Sequence, residues 1–320
     1  IDMQKYTGLF IALILISLSG KGQQLPFYTQ HNSNSFMINP GSTGVKRLID
    51  IRMNYRHQWT GFDGAPSTAS LGINSRLAQG KMGAGFSLVS DESGPIKKLS
   101  FGGSYAYHIQ FPDCELSAGL AGNGSQTTLI GSKITLRNSQ DQAIDQNISN
   151  TGFTGDAAFG IYLYNDRFHT GLSVWQPLES KTEFYTTDST KKGIIKNATH
   201  LNVSLGYNYS QNPDYIWQSS LFSSYMQGAP LILDYTLLLN YKEKIFGGFS
   251  IRLGDAVALH VGASFLDDFQ VSYSYDFLIS KLRKTNSGSH EITLVYSTNL
   301  MHSKRKADDR FLRQKYGYLF

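Results

Sequence analysis

The stretch LNVSLGYNYS, Leu201 to Ser210, decides the fold class because its two alternating sets of residues have opposite character. Every odd-numbered position carries an aliphatic or aromatic side chain, and every even-numbered position carries a small or polar one. Successive side chains of a β-strand point to opposite faces of a sheet, so the stretch predicts a strand with one apolar and one polar face. Soluble sandwiches and membrane barrels both use such strands.

The same alternation recurs along most of the chain and predicts an all-β architecture. The composition agrees, because 19 Tyr, 19 Phe and 31 Gly with only 17% charged residues favour strands over helices. We expect about fourteen strands. They lie near residues 48–59, 66–77, 82–90, 97–111, 114–125, 154–165, 168–176, 199–210, 215–226, 231–242, 245–253, 256–264, 269–279 and 289–300.

Strand length and connection length favour a membrane barrel over a soluble sandwich. The strands have about 9–12 residues, enough to cross a bilayer, and their apolar faces often end in aromatic residues. Short connections alternate with long ones such as 126–153 and 177–198, as short periplasmic turns and long outer loops do. Because an open edge in lipid leaves backbone groups unpaired, we predict a closed antiparallel transmembrane barrel with both chain ends in the periplasm.

The beginning of the chain is typical of an exported protein. After Met3 and Lys5, the run GLFIALILISLSG, Gly8 to Gly20, precedes small and polar residues. An apolar run of about 12 residues is too short to span a bilayer as a helix but suits a signal peptide. We therefore predict a signal peptide at 1–22, an amino-terminal segment at 23–47, an outer-membrane barrel at 48–301 and a basic periplasmic tail at 302–320.

The amino-terminal segment is irregular, yet it carries large apolar side chains such as Phe27, Tyr28 and Phe36. Leaving such a side chain in water forgoes about 1.5–3 kcal/mol. We therefore predict that the segment folds back as a plug in the lumen, with Asn39 and Pro40 in its turn. A disordered leader is the alternative.

Five charged residues occupy the alternate strand positions that carry polar side chains, opposite the apolar face: Arg52, Arg56, Asp234, Arg252 and Asp276. A charge facing lipid at the bilayer midplane costs about 2–4 kcal/mol, so these side chains are expected to face the lumen. They either pair with one another and rigidify the barrel, or hold the plug or line a passage.

The connection after the first strand combines aromatic and turn-forming residues. Trp59 falls at the outer end of the strand, and Phe62 and Asp63 lie in the following turn. Aromatic rings at this level suit the membrane interface. The connection is therefore either a simple interface hairpin or a rim whose residues Trp59, Phe62 and Asp63 bind a partner.

Sequence motifs for catalysis and for metal binding are absent. The sequence has no Gly-x-Ser-x-Gly, phosphate-loop or His-Glu-x-x-His pattern. His290 and Glu291 are adjacent, so on a strand they point to opposite faces, and a single cysteine, Cys114, cannot form an internal disulfide. Much of the modest +5 net charge lies in the tail. We therefore expect no enzymatic activity, no cofactor and no nucleic-acid partner.

Several motifs resemble the PorP/SprF family in the family's order, over about residues 27–296. They are FMINPGSTG (Phe36–Gly44), YRHQWTGFDGAPSTASLGINSRL (Tyr55–Leu77), VSDESGP (Val89–Pro95), YAYHI (Tyr105–Ile109), GLSVWQPL (Gly171–Leu178), YSYDF (Tyr273–Phe277) and GSHEITLVY (Gly288–Tyr296).

The resemblance implies an outer-membrane barrel of the type IX secretion and gliding system of Bacteroidota. Its implied partners are other components of that system, the surrounding outer-membrane lipid, and one secreted surface protein or adhesin with a type B C-terminal domain. The implied function is to bind, export or anchor that protein at the cell surface. A channel for a small or hydrophobic solute is the alternative.

Overall fold

A computed structural model describes residues 25–46, 49–77, 80–134, 149–185, 192–212, 214–266 and 268–298. The predicted signal peptide at 1–22 and the predicted tail at 302–320 lie outside these ranges, as do both chain ends. Within them, no helix combines the length and the apolar character needed to cross a membrane.

Fourteen antiparallel strands form one closed barrel, which confirms the predicted fold class and strand number. Each strand pairs with its neighbours in the chain, and β1 closes the barrel against β16 from Ile49↔Thr298 to His57↔His290. The barrel strands are β1 (Ile49–His57), β2 (Ser67–Leu77), β3 (Met82–Ser93), β4 (Ile96–Gln110), β5 (Glu115–Ile130), β6 (Ser149–Tyr164), β7 (Phe168–Trp175), β10 (His200–Asn212), β11 (Tyr215–Met226), β12 (Ile232–Tyr241), β13 (Ile245–Arg252), β14 (Ala256–Phe265), β15 (Phe269–Leu278) and β16 (Ser289–Thr298).

The structure differs from the predicted strands in the two longest connections. A separate hairpin of β8 (Lys181–Tyr185) and β9 (Lys192–Lys196) lies within the predicted loop 177–198. The predicted loop 126–153 is shorter, because β5 and β6 stay paired as far as Ile130↔Ser149. Residues rich in Thr, Ser, Asn and Gly continue the ladder there, and this composition is also typical of loops.

The two ends of the barrel differ in their connections. We call the end with the β5–β6, β7–β10 and β15–β16 connections the long-loop end, and the opposite one the short-turn end. The strand termini Ile49 and Thr298 meet at the short-turn end.

The barrel wall has its apolar face outside and its polar face inside. On β1, Met53 and Tyr55 are 52% and 51% exposed, whereas Asp50, Asn54 and Arg56 are buried. This is the reverse of a soluble protein and suits a wall whose outer face meets lipid. The alternation predicted from the sequence is therefore present, with the polar set facing the lumen.

The amino-terminal segment, residues 25–46, lies inside the lumen, and we refer to it as the plug. It contains a short helix at Ser35–Ile38 and a 3-10 turn at Pro40–Ser42. Leu25 lies among residues of the long-loop half, and Gly44 lies beside Ser75 and Arg76 near the short-turn end. The plug therefore runs down the lumen towards the start of β1.

Candidate functional site: the plugged lumen

The long-loop half of the lumen contains a buried group of charges that holds the plug. We call Arg56, Arg252, Asp234, Asp276 and Glu291 the charged anchor. Arg56 lies 2.8 Å from Asp276 Oδ2 and 3.1 Å from Glu291 Oε2, through its two terminal nitrogens. Arg252 lies 3.4 Å from Asp276 and 3.3 Å from Asp234.

Thr29 of the plug lies at the centre of this anchor. Its backbone N–H donates to Glu291 Oε2 at 2.7 Å, and its hydroxyl donates to Asp276 at 2.9 Å. The same hydroxyl oxygen accepts from Arg56 at 2.5 Å and from Arg252 at 3.1 Å. One small side chain thus joins both arginines to a carboxylate.

The residues on either side of Thr29 extend the contacts around the lumen. Gln30 donates its backbone N–H to Glu291 at 3.1 Å and accepts from the Ser272 hydroxyl at 2.5 Å. His31 Nε2 lies 3.3 Å from Asp234 Oδ1, and its ring stacks on Phe222 at 4.9 Å.

The ring of Phe27 provides an apolar contact for a charge. The Arg252 guanidinium carbon lies 3.9 Å from the centre of that ring, within the range of a cation–π interaction. Because Arg252, Asp234 and Asp276 are buried, the interactions among them are little weakened by water or salt. Arg252 also contacts the more exposed Asp255 at 3.0 Å.

The middle of the plug packs against glycines of the wall, and we call Gly83, Gly119 and Gly160 the glycine cradle. A Cβ atom at Gly83 would lie 2.1 Å from the Thr43 carbonyl oxygen, and one at Gly119 would lie 2.2 Å from the Pro40 carbonyl oxygen. At Gly160 it would lie 1.9 Å from the Asn39 side-chain oxygen. Only residues without a side chain let the plug backbone come this close to the wall.

Asn39 and Pro40 form the predicted turn. The Asn39 side-chain oxygen accepts from the Gly41 N–H at 2.8 Å and so caps the 3-10 turn that begins at Pro40. The amide nitrogen of Asn39 donates to the carbonyl oxygens of Ile161 and Leu172, at 3.1 and 3.3 Å. The same residue therefore shapes the plug and ties it to two wall strands.

A second polar cluster holds the plug at the short-turn end. Arg76 donates to the Gly44 carbonyl at 2.7 Å and pairs with Glu115 at 2.8 Å. His108 contacts the Thr43 carbonyl oxygen at 2.9 Å and the Tyr164 hydroxyl at 3.1 Å. Most of these wall contacts are to main-chain groups of the plug, and the Thr43 hydroxyl adds one side-chain contact, to the Ser104 hydroxyl at 3.1 Å.

Arg52 lies near this end and has a different neighbour from Arg56. It bonds Asp50 at 2.5 Å, and Lys46, just before β1, lies 3.7 Å from the same carboxylate. Burial, together with the nearby Arg52 charge, lowers the pKa of Lys46 to about 8 despite the opposing effect of Asp50.

The residues expected at a partner-binding rim lie on the long-loop end. The Trp59 N–H donates to the Ser289 hydroxyl at 3.1 Å, and the backbone of Thr60 is bonded to the β15–β16 connection. Gly64 accepts from Gly94 of the β3–β4 turn at 3.0 Å. The Phe62 ring is 49% exposed at the tip, and Asp63 is exposed beside it. The connection is thus fixed on both sides while its tip meets the surroundings.

The structure brings four of the predicted lumen residues, Arg56, Asp234, Arg252 and Asp276, into the charged anchor. Sequence reasoning missed Glu291 and Thr29. Glu291 alternates with apolar residues in the same way as Ser289 and Thr293, and this pattern could have identified it as a lumen residue. Thr29 lies in the plug, whose sequence has no repeating pattern of polar and apolar residues.

Among the described residues, no group of three or more His, Cys, Asp or Glu side chains is placed to hold a metal ion. The described His290 ring is half-buried beside Tyr273 and Tyr275, whereas Glu291 faces the lumen, as adjacent strand residues should.

Comparisons with known proteins gave one family and several solved barrels. The family described as "Type IX secretion system membrane protein PorP/SprF" matches residues 20–296. No curated protein sequence matches. Among solved structures, the CymD monoaromatic hydrocarbon channel has a TM-score of 0.49 at 11% identity, covering 89% of this chain and 96% of that one. A Pseudomonas aeruginosa FadL homologue has a TM-score of 0.45 at 10% identity, covering 86% and 95%.

Proposed function

The chain belongs to the PorP/SprF family of type IX secretion system membrane proteins, and we propose that it is a non-enzymatic outer-membrane barrel that binds, exports or anchors one secreted surface protein. The partner carries a type B C-terminal domain, and other components of the secretion or gliding system contact the barrel. Both chain ends lie in the periplasm.

The plug is the observation that carries this proposal. A barrel of fourteen strands has a lumen that its own wall side chains do not fill, and here the plug occupies it. The plug is tied to the wall at both halves by hydrogen bonds, from Thr29 to Glu291 and from Arg76 to Gly44. A lumen occupied in this way favours a protein that acts through its ends over one that conducts solutes.

The tip of the β1–β2 connection supplies the contact surface that we propose for the secreted partner. Phe62 is exposed on a connection whose backbone is fixed by two neighbouring turns. A pre-ordered aromatic side chain loses little conformational freedom on binding, which is why aromatic residues dominate binding hot spots.

Deletion of the gene followed by analysis of the surface and secreted proteins tests the proposal. We expect one surface protein to be lost from the cell exterior, and to be restored by the wild-type gene. Unchanged secretion with impaired uptake of a small solute would instead favour the channel and overturn the proposal.

Complementation with a rim variant tests the contact surface. Phe62→Ser should weaken retention of the partner by about 2 kcal/mol, roughly thirtyfold, while the barrel still folds. Leu266→Ser is the matched control, because Leu266 is 80% exposed at the short-turn end. Equal retention in the two variants would show that the rim does not bind the partner.

The native cysteine tests the orientation of the barrel. Cys114 lies in the β4–β5 connection at the short-turn end and is half-buried. We expect a membrane-impermeant maleimide to label it only after the outer membrane is opened. In a Cys114→Ser background, Asp63→Cys should be labelled in intact cells. Labelling of Cys114 in intact cells would place the short-turn end outside.

A further inference from the structure

A cavity of about 140 Å³ lies between the plug and the wall in the long-loop half of the lumen. Both the plug and the wall contribute to its apolar lining. Pro26, Phe27 and Ile38 belong to the plug, and Trp175 and Phe222 belong to the wall. Residues of the β11–β12 connection, including Ala229 and Pro230, also line it. The cavity therefore lies at the end of the lumen that the long loops surround.

Two buried polar atoms among the lining residues lack hydrogen-bond partners in the part of the chain that the structure describes. They are Gln176 Oε1 and His200 Nε2, on side chains that are 7% and 5% exposed. His200 pairs with Trp175 across the β7–β10 ladder, and Gln176 follows Trp175, so the two lie at one place on the cavity wall. An unsatisfied buried polar group is costly, and such groups mark sites that a ligand completes.

The charged groups around the same cavity already have partners. Asp91 accepts from the Thr68 hydroxyl at 2.5 Å, and Lys98 donates to Asn197 at 3.5 Å. Asp156 accepts from the backbone N–H of Ala157 at 2.9 Å. The groups left for a ligand are thus the uncharged pair, which argues against an ionic ligand.

Gln176 also has an unusual backbone conformation. Its φ of 58° lies in the left-handed region that residues with side chains rarely adopt. Its N–H donates to the Ala157 carbonyl at 3.0 Å, and its carbonyl accepts from the Thr199 hydroxyl at 3.2 Å. Strained residues cluster at binding sites, and the two backbone bonds hold Gln176 in this conformation beside the cavity.

We propose that this cavity binds a single phenolic ring. Apolar cavities of about 150 Å³ hold one benzene ring, which fixes the size of the apolar part. An amide oxygen accepts only, so the ligand must donate a hydrogen bond to Gln176. The same hydroxyl oxygen can then accept from His200 Nε2 in the neutral tautomer that carries its proton on that nitrogen. The ring is either a free phenolic molecule or the tyrosine side chain of a polypeptide.

Fluorine NMR on the purified full chain in detergent tests the site without any secreted partner, so the result is independent of the proposed function. We expect 4-fluorophenol to show a saturable shift, and Gln176→Met to weaken its binding at least tenfold. Binding of 4-fluorotoluene, which lacks the hydroxyl, should be the same in wild type and in Gln176→Met. Equal 4-fluorophenol binding in both proteins would overturn the hydroxyl assignment.

A cavity-filling variant separates site binding from partition into detergent. Ala229→Phe should abolish the saturable shift of both probes, and a shift that persists there would overturn the site. His200→Phe provides a second removal of a polar partner, with the expected loss again confined to 4-fluorophenol. The heat-dependent mobility of each variant on a gel verifies that the barrel is folded.

Competition identifies the source of the ring. Displacement of 4-fluorophenol by N-acetyltyrosinamide would assign the cavity to a tyrosine side chain. Displacement by phenol alone would assign it to a free small molecule. Failure of both to displace the probe would contradict the proposal.

Discussion

The two halves of the plug are held by different kinds of interaction. In the long-loop half, Thr29 and its neighbours bind the charged anchor through side chains and short hydrogen bonds. In the middle and at the short-turn end, Pro40 and Thr43 press their backbone against wall glycines. The long-loop half depends on charge partners, and the middle of the plug depends on the absence of wall side chains. At the short-turn end, Arg76, which is paired with Glu115, adds a charged contact to Gly44.

This difference teaches that one segment can be fixed by two independent physical means. A buried charge that loses its partner lowers the stability of the fold strongly. Any rearrangement of the long-loop half that separates the charged anchor is therefore unfavourable. The contact between the plug backbone and a wall glycine involves no charged group. It is disrupted when a substitution adds a side chain at the glycine. The long-loop half and the middle of the plug should therefore respond to different classes of substitution.

The largest expected effect is the loss of an anchor arginine. Arg56→Met leaves Asp276 and Glu291 without their main partner, and removing one member of a buried ion pair costs about 3–5 kcal/mol. Urea unfolding in detergent should show this loss of stability. Limited proteolysis should then cleave the plug near residues 27–33 while residues 40–44 stay protected.

Arg167→Met is the control for that variant, because Arg167 is exposed in the turn between β6 and β7. It should unfold at the wild-type urea concentration. Cleavage that begins at residues 40–44 in Arg56→Met would show that the two halves are not independent.

A smaller effect is expected from filling the glycine cradle. Gly83→Ala adds a Cβ that would lie 2.1 Å from the Thr43 backbone, and overpacking of this kind costs about 1–3 kcal/mol. We expect cleavage near residues 41–45 with the long-loop half still protected. Gly103→Ala is the matched control, since a Cβ there would contact nothing within 4 Å. Similar protease patterns for both alanine variants would contradict the steric explanation.

A still smaller effect should follow from removing the cap of the 3-10 turn. Asn39→Ala loses the acceptor for the Gly41 N–H, which is worth about 1 kcal/mol at helix starts. Asn39→Ser retains a capping oxygen and should recover part of the stability in the same urea titration. If serine were no better than alanine, the amide contacts to Ile161 and Leu172 would be the important ones.

The smallest effect is expected where an ion pair is exposed. Lys242 lies 3.8 Å from Asp214 at the short-turn end, and both side chains are about half exposed (51% and 49%). Exposed pairs of this kind contribute little to stability because water screens them, so Lys242→Ala should leave the urea midpoint and the protease pattern almost unchanged. A loss as large as that of Arg56→Met would show that burial does not distinguish the two pairs.

All fourteen barrel strands could be predicted from the sequence, because apolar and polar residues alternate within each strand and show which face meets lipid. Leu205 and Asn202 differ in parity, and the structure exposes Leu205 and buries Asn202. The β8–β9 hairpin was not predicted, because its strands are short. Among the hairpin residues whose burial is described, Thr182 and Phe184 are the buried ones. A weak alternation in a polar stretch does not distinguish a strand from a loop.

Residues of the candidate site were predicted only where they lie on strands, because alternation shows which strand residues face the lumen. Arg56, Asp234, Arg252 and Asp276 could be assigned to the lumen because a charge cannot face lipid cheaply. Their partner Thr29 could not be found, since the plug has no repeating pattern. The rim residues Trp59, Phe62 and Asp63 remain a prediction that the complementation experiment tests.

The sequence by itself determined the barrel, its strand number and the side of each wall residue, because a period of two and the cost of unpaired backbone in lipid are local constraints. Only the tertiary structure decided which residues of the plug meet which residues of the wall. Thr29 and Asp276 are 247 positions apart, and Pro40 and Gly119 meet only because the barrel is closed. Contacts across a lumen depend on barrel circumference, on strand register and on the path of an aperiodic segment, and no local pattern encodes these.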